Sequence, residues 1–355
     1  MISTTSDPLS KEEPLMKAYA AFSPTDIRMI DLPIPEPDDY EVLVKHEGCV
    51  FCNTTDRMIV DELFATPAYP VVFGHESFGK VVKVGSKVRK YRLGDRVICS
   101  NAIVKGFDGT YYSSWGAFAE YGIAGDLDAY LADGNPLDAA NNYRRRYAAN
   151  SVIPSHLPPE KACLAFPLAE TASAALQVGP VAGKHVAVLG TGIAGYSLTY
   201  FTHLYGAASV STLGRRASRL ETAAKLGADH TFLSMRDMCA FAETIGGFDV
   251  IFEASGNYAI LAEGLPCLKE NGIFASYAVP HQPYSFNLLR CPKSFRWQRV
   301  DPRVPDALDR VAALLDRDQI PVDALLTHVW DFDELPRAFE QVRAGKVIKG
   351  LVRIG

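Results

Sequence analysis

Two short segments near the start of the chain contain side chains that bind divalent metals. The segment "GCVFCNTTD" carries Cys52, Thr55 and Asp56, and the segment "FGHES" carries His75 and Glu76. A cysteine thiolate and a histidine imidazole on separate segments are suitable as two of the three protein ligands of a catalytic zinc that keeps one position open. A Cys and a His also occur together by chance with only structural roles, so the pair alone leaves both interpretations open.

A glycine-rich loop provides the second candidate site. The segment follows the strand-like run "HVAVL", opens a helix-like run and matches G-x-G-x-x-G, with the residues Gly190, Thr191, Gly192, Ile193, Ala194 and Gly195. This context is typical of a loop that holds a dinucleotide pyrophosphate. Gly190 permits the tight turn, Gly192 lets the backbone approach the phosphates, and Gly195 lets helix and strand pack closely. The helix N-terminus then offers unpaired N–H groups and a positive dipole end.

The residues after the next strand favour NADP(H) over NAD(H). The run "SVSTL" ends at Gly214, about 20 residues after the loop, where an NAD-binding fold places an acidic residue on the ribose 2′-hydroxyl. Here Gly214 is followed by Arg215 and Arg216. The missing carboxylate removes repulsion toward a 2′-phosphate, guanidinium groups are bidentate phosphate donors, and Thr212 adds a hydroxyl. Two exposed arginines without a ligand are the alternative, although a helix N-terminus is an unfavourable place for cations.

The order of elements predicts how these residues are held. Short β-like runs separated by Gly and Asp fill the first third of the chain, and strands alternate with helices from about residue 184. The C-terminal part again has the pattern of the first third. This pattern predicts an α/β protein in which a doubly wound parallel Rossmann sheet is inserted into a discontinuous β-rich domain. The expected boundaries are a flexible extension at 1–15, a β-rich domain at 16–170 and 306–355, and a dinucleotide-binding domain at 171–305. The polar segment 125–152 is either a solvated loop or a functional lid.

Composition excludes several classes of partner. The 355 residues carry a net charge of −5, which gives no basic footprint for nucleic acid. No run approaches the roughly 20 apolar residues of a membrane span, and the polar N-terminus is not a signal peptide. The seven cysteines are scattered, so we expect no disulfide framework and a reducing cytoplasm. Four of them lie among apolar neighbours and are expected as buried thiols: Cys99, Cys163, Cys239 and Cys267.

The chain resembles the medium-chain dehydrogenase/reductase family of zinc-dependent alcohol and polyol dehydrogenases. The runs "EVLVKHEGCVFCNTTD", "GHESFGKVVKVGSKVRKYRLGDRV", "GAFAEY", the glycine loop and "AGKVIKGLVRIG" occur in the family's order, from Met16 to the end. The resemblance implies a GroES-like catalytic domain around the Rossmann domain, a dimer or tetramer, and an active site in the cleft between the domains.

The same resemblance assigns the metal site. It implies that Cys52 and His75 are zinc ligands and that Glu76 can approach the metal. Thr55 matches the residue that relays the proton released by the alcohol. Asp56 matches the carboxylate that orients the zinc-bound histidine.

Three features depart from the family pattern. The spacing from Cys52 to Asp56 is one residue longer than usual. The usual slot for the third ligand is Phe166, which cannot bind zinc; Glu170 could reach the metal, touch the nicotinamide edge, or be an ordinary hydrogen-bonded carboxylate. The region "NAIVKGFDGTYYSSWGAFAEYG" lacks the clustered cysteines of the family's structural zinc, so no structural zinc is expected.

The remaining histidines show no spacing typical of metal ligands: His46, His156, His185, His203, His230, His281 and His328.

The sequence therefore predicts NADP(H)-dependent interconversion of an alcohol and a carbonyl. Zinc would polarise the substrate oxygen, and Thr55 would carry the proton. Two alternatives stay open. One is a zinc-free quinone or enoyl reductase with the same fold. The other is a non-enzymatic NADPH-binding sensor or structural protein.

Overall fold

The fold is that of a computed structural model. It describes residues 14–64, 66–102, 109–137, 143–257, 259–278, 287, 289, 291 and 293–355. The first strand begins at Leu15, so almost all of the predicted flexible extension 1–15 lies outside the described residues. His281 also lies outside them.

The chain forms two compact units. The first contains the described residues of Met1–Val152, with Trp330–Arg343 and Val352–Gly355, and the second contains those of Ile153–Val329 with Ala344–Leu351. Each unit is therefore built from separate stretches of chain. The domain boundaries predicted from the sequence, at 170/171 and 305/306, stay a prediction.

The first unit is rich in strands, as its β-branched runs predict. Its strands are β1 (Leu15–Ser23), β2 (Asp26–Pro33), β3 (Glu41–Val50), β4 (Val71–Val72), β5 (Glu76–Val84), β6 (Arg96–Ile98), β7 (Tyr112–Ser113) and β8 (Tyr121–Gly125). One sheet has the order β2-β1-β4-β7. In a second sheet β3 pairs antiparallel with both β5 and β8, and β5 pairs with β6. Helix α1 (Thr55–Glu62) follows β3 directly, so the end of this strand and the start of this helix carry the residues around Cys52.

The second unit contains a six-stranded parallel sheet. Its strands are β10 (His185–Leu189), β11 (Ser209–Leu213), β12 (His230–Phe232), β13 (Phe248–Glu253), β14 (Leu268–Ser276) and β15 (Phe295–Arg299), in the order β12-β11-β10-β13-β14-β15. Counted along the chain this is the order 3-2-1-4-5-6 of the doubly wound dinucleotide-binding fold. The predicted Rossmann sheet is confirmed.

Helices connect these parallel strands, as βαβ crossovers require. They are α6 (Ile193–Leu204), α7 (Ala217–Lys225), α8 (Met235–Thr244) and α9 (Ala259–Gly264). The remaining elements of the chain are α2 (Leu127–Ala132), α3 (Tyr143–Tyr147), β9 (Ser151–Ile153), α4 (Pro159–Ala162), α5 (Ala165–Gln177), α10 (Val304–Asp316), α11 (Val322–Leu325), β16 (Leu326–Asp331), α12 (Leu335–Arg343) and β17 (Lys349–Arg353). No helix in the described parts of the chain is long and apolar enough to cross a membrane.

Segment 125–152 is packed at its two ends, whereas residues 132–134, 136 and 137 between them are exposed. Buried Asn150 accepts a hydrogen bond from Gly125 N (3.0 Å) and donates to the carbonyl of Cys99 (2.7 Å). The Tyr147 hydroxyl donates to the buried Glu41 carboxylate at 2.6 Å. The interpretation as a solvated loop is therefore wrong for these residues, because their polar groups are paired inside the protein; residues 138–142 lie outside the described chain.

Two cysteines depart from the sequence-based expectation. Cys239 in α8 and Cys267 before β14 form a disulfide, with their Cα atoms 5.1 Å apart. They are 28 residues apart in sequence, so their spacing gave no sign of pairing. The prediction of two thiols is wrong here, whereas Cys99 and Cys163 are buried free cysteines as expected.

His46 in β3 is a satisfied core histidine. Its side chain is 1% exposed, Nδ1 lies 2.6 Å from the carbonyl of Ala119, and Nε2 lies 2.6 Å from the hydroxyl of Ser100. Because a carbonyl can only accept, Nδ1 carries the proton and Nε2 accepts from Ser100. Burial lowers the pKa of His46 to about 4, which keeps the ring neutral near pH 7.

Candidate functional site

The structure brings three of the predicted metal ligands together in the first unit. Cys52 lies just after β3, His75 just before β5, and Glu76 begins β5. One ligand atom from each lies within 4.8 Å of the others. Sulfur, imidazole nitrogen and carboxylate oxygen form a donor set that tetrahedral zinc accepts at 2.0–2.3 Å. The three residues therefore fit a metal ion after a small inward movement, and the described residues contain no other group of this kind.

The backbone around the histidine explains why the segment is "FGHES". Gly74 has φ of +93°, in the left-handed region that favours glycine. A β-carbon at this position would also lie 2.6 Å from the ring of Phe118. Gly74 thus turns the chain between a buried strand and β5 and presents His75 beside Cys52.

Asp56 contacts both Cys52 and His75. Its carboxylate is fully buried at the start of α1. Oδ2 accepts a hydrogen bond from the Cys52 backbone N–H at 2.9 Å, and Oδ1 lies 3.2 Å from His75 Nδ1. The other ring nitrogen, Nε2, lies 3.9 Å from Glu76 Oε1. This is the geometry in which a carboxylate orients a metal-binding imidazole.

The electrostatics of His75 follow from these neighbours. Burial opposes protonation of the imidazole, but Asp56 and then Cys52 outweigh it and raise the pKa of His75 well above its ordinary value. Without metal, a proton therefore competes for the ring nitrogen that a metal would use.

Two further side chains border the cluster. The Cys52 thiol donates to the Thr55 hydroxyl at 3.3 Å, which places that hydroxyl beside the cluster. The ring of Trp115 lies 5.1 Å from that of His75, centroid to centroid. Trp115 has φ of +63°, a conformation that costs a bulky residue about 1–3 kcal/mol and is found where a site demands it.

The glycine loop adopts the predicted strand–turn–helix conformation in the second unit. Gly190 has φ of +129°, and its N–H donates to the carbonyl of Leu213 at the end of β11. A β-carbon on Gly195 would lie 2.0 Å from the Gly190 carbonyl oxygen, so only glycine fits. Gly192 has open space around its β position. The three glycines therefore have the geometry that phosphate binding at a helix N-terminus requires.

The predicted arginines stand at the end of β11, where α7 begins. Arg215 and Arg216 are exposed, and Arg216 is the residue before the first helical residue. A third cation, Arg219, was not predicted from the sequence; it donates to the carbonyls of Thr191 and Gly345, each at 3.0 Å. Its i, i+3 spacing from Arg216 was the available signal.

The three arginines repel one another. Among the described residues none of them forms an ion pair with a carboxylate. Burial, Arg216 and Arg215 all lower the pKa of Arg219. A cluster of uncompensated cations beside a glycine loop is a favourable place for a phosphate.

Two predicted residues are placed differently from the rest. Thr212 is fully buried, and its hydroxyl is 3.0 Å from that of Thr199 in α6. Its expected contact with the cofactor is not supported, because the hydroxyl is used in packing the helix on the sheet. Glu170 lies in α5 and is partly buried in the second unit, so its role as a ligand stays a prediction.

A buried carboxylate that was not predicted from the sequence shapes the loop after β13. Glu253 is fully buried, and its Oε1 accepts from the Ser255 N–H, the Ser255 hydroxyl and the Gly256 N–H at 2.6–2.9 Å. The preceding carbonyl, that of Ala254, lies 3.1 Å from a β-carbon built on Gly190. Glu253 therefore holds the loop that adjoins the glycine motif.

Comparison with known proteins agrees with this architecture. Residues 38–130 match the alcohol dehydrogenase GroES-like domain, and residues 194–300 match the zinc-binding dehydrogenase family. An uncharacterised zinc-type alcohol dehydrogenase-like protein of Escherichia coli is 26% identical over 347 residues, 93% of this chain and 96% of that one. D-arabinitol dehydrogenase 1 of Uromyces fabae is 24% identical over 352 residues, 95% and 97% of the two chains.

A solved structure shows the same fold over the full length. A Sinorhizobium meliloti protein assigned to the zinc-binding dehydrogenases, with NADP bound, has a TM-score of 0.73 at 26% identity. The match covers 96% of this chain and 100% of that one. Fold and sequence together define a dehydrogenase with a GroES-like domain and a Rossmann domain. The chain belongs to the medium-chain dehydrogenase/reductase family, among its zinc-type alcohol and polyol dehydrogenase-like members.

Proposed function

We propose that this protein is an NADP(H)-dependent oxidoreductase that interconverts an alcohol and a carbonyl at a catalytic zinc. The observation that carries the proposal is the group of Cys52, His75 and Glu76, whose ligand atoms lie within 4.8 Å of one another, with Asp56 behind the imidazole. Zinc bound there would polarise the substrate oxygen and lower the pKa of a bound alcohol. The nicotinamide would accept or supply the hydride.

The chain's own residues prepare this chemistry. Asp56 holds the His75 ring so that Nε2 faces the metal ligands and Nδ1 faces the carboxylate. Thr55 Oγ1 is beside the Cys52 sulfur, where its hydroxyl can receive the proton that an alcohol loses on oxidation. The Trp115 ring packs against His75, where it would restrict the access of water to a bound metal.

The proposed preference for NADP(H) depends on position 214 and the arginines. Gly214 offers no carboxylate to the ribose 2′-hydroxyl, and Arg215 and Arg216 are exposed cations without an acidic partner in the described chain. A 2′-phosphate would relieve their repulsion and accept bidentate hydrogen bonds. The NADP bound by the Sinorhizobium meliloti relative is consistent with this choice.

Metal analysis with cofactor kinetics tests the proposal. We expect about one zinc per chain, loss of activity on chelation, and a kcat/KM for NADPH about 100-fold above that for NADH, since two charge-assisted hydrogen bonds each contribute about 1.5 kcal/mol or more. Less than about 0.2 zinc per chain, with activity that survives chelation, would favour a zinc-free quinone or enoyl reductase. No NADPH consumption across a broad panel of carbonyls would favour a non-enzymatic NADPH-binding protein.

The ligand set is tested separately. Glu76→Gln and Glu170→Gln are compared for zinc content and for zinc affinity. We expect Glu76→Gln to weaken zinc binding, because its carboxylate is part of the cluster. An equal loss in Glu170→Gln would assign that residue to the metal as well.

A further inference from the structure

The space beside Gly214 is filled by another side chain. A β-carbon built on Gly214 lies 2.5 Å from Thr191 Cγ2, 2.9 Å from Thr191 Oγ1 and 3.1 Å from Leu220 Cδ2. Non-bonded carbon atoms in contact are normally 3.5–4.0 Å apart. Gly214 is not among the residues with positive φ, so the constraint on this position comes from packing and not from its backbone conformation.

Rotation of the Thr191 side chain cannot remove the clash. Threonine has two heavy branches on Cβ, and χ1 moves them among three staggered positions. Both positions that face Gly214 are filled, so any other staggered rotamer leaves at least one branch against the added β-carbon. Serine has a single branch, which can turn to the third position.

The backbones of the two residues are also held together. Gly190 N–H donates to the Leu213 carbonyl, which links the residues immediately before Thr191 and Gly214. The Arg219 guanidinium donates to the Thr191 carbonyl and to the Gly345 carbonyl. Thr191 therefore cannot move away from Gly214 without loss of these hydrogen bonds.

We propose that Thr191 is a specificity-determining residue for the cofactor. Its side chain occupies the volume that an acidic side chain at position 214 would need, so it excludes the carboxylate that would bind the ribose 2′-hydroxyl of NAD(H). This inference rests on the proposed preference for NADP(H). It adds that the preference is set by two packed positions and not by the arginines alone.

The first test measures packing in the protein without cofactor. Thermal unfolding is compared for Thr191→Ser, Gly214→Ala and the double variant. We expect Gly214→Ala to lower the melting temperature by about 3–8 °C, Thr191→Ser to change it by less than about 2 °C, and the double variant to recover most of the loss. A Gly214→Ala protein as stable as the wild type, or a double variant no more stable than Gly214→Ala, would overturn the inference.

The second test measures cofactor binding by energy transfer from protein tryptophan to reduced nicotinamide. Gly214→Asp is compared with the double variant Thr191→Ser, Gly214→Asp. We expect both to lose NADPH affinity and only the double variant to gain NADH affinity, by about tenfold or more over Gly214→Asp. An equal gain in NADH affinity in Gly214→Asp alone would contradict the role of Thr191. If that single variant does not fold, the thermal unfolding of Thr191→Ser, Gly214→Ala and their double variant still tests that role.

The two proposals can fail separately. A wild-type protein that binds NADH as tightly as NADPH would contradict the proposed function. The melting cycle uses no cofactor, so it tests the packing of Thr191 on Gly214 whatever the cofactor preference is.

Discussion

Replacement of Asp56 by asparagine tests whether the buried carboxylate serves the metal. The two side chains have nearly the same shape, so packing is preserved while one acceptor oxygen becomes an NH₂ donor. One oxygen of Asp56 accepts a hydrogen bond from the Cys52 N–H at 2.9 Å, and the other lies 3.2 Å from His75 Nδ1. Asparagine can accept from only one of these two nitrogens, and its NH₂ must face the other.

The expected magnitude follows from that conflict. If the amide keeps the hydrogen bond to Cys52, the His75 ring loses the carboxylate oxygen beside Nδ1; if the amide flips, the Cys52 N–H loses its acceptor. Removal of such a supporting carboxylate typically weakens metal affinity 10- to 100-fold, or about 1.4–2.7 kcal/mol. We therefore expect the zinc dissociation constant of Asp56→Asn to rise by this factor.

The assay is competition for zinc against a chromophoric chelator at fixed pH. Asp61→Asn is the matched control. It removes a carboxylate from the same helix, but this carboxylate pairs with Arg343 and not with His75. Circular dichroism and thermal unfolding establish that each variant is folded. An Asp56→Asn protein that is folded and binds zinc within twofold of the wild type would refute the assignment of Asp56 to the metal site.

Three further predictions concern pH and packing. Zinc affinity should rise about tenfold per pH unit between pH 6 and 8 for each proton displaced, because the raised pKa of His75 keeps a proton on the ring that zinc must replace; a flat profile in the same competition assay would contradict this. Lowering the pH from 7 to 5 should lower the free energy of unfolding by about 2 kcal/mol because of His46. Its ring takes up a proton near pH 6.5 in the unfolded state and only near pH 4 in the native state. Urea unfolding measures this loss, and the prediction fails if His46→Asn has the same pH slope as the wild type. Gly79→Ala should destabilise the protein by about 3 kcal/mol or more, since the new β-carbon would lie 2.2 Å from the Lys45 carbonyl oxygen; equal urea midpoints would disprove it.

Local patterns predicted the Rossmann sheet and the glycine loop well. The motif combines a strand, a tight turn and a helix within a few residues. Gly190 is required by its positive φ, and Gly195 by its contact with the Gly190 carbonyl oxygen. The parallel sheet was predictable because alternating strands and helices form parallel strands joined by helical crossover connections. The cluster of Cys52, His75 and Glu76 was predicted from the family resemblance, since residue types alone left a structural role open.

Other features depend on contacts between distant segments. Thr212 lies in a strand that is buried on both faces, so its alternation could not show which face the hydroxyl points to. The disulfide between Cys239 and Cys267 arises only when α8 packs beside the turn before β14. Asn150 looked like a loop residue, because the backbone groups that it pairs with are about 25 to 50 residues away.

The contact between Thr191 and Gly214 also constrains the order in which this chain could change during evolution. A lineage that acquired an acidic residue at 214 first would pass through a destabilised intermediate. One that first replaced Thr191 by a smaller residue would meet no such barrier. In relatives that differ in cofactor use, the change at position 191 should therefore appear at an earlier branch than the change at position 214. Some descendants that still prefer NADP(H) should then have serine or alanine at position 191.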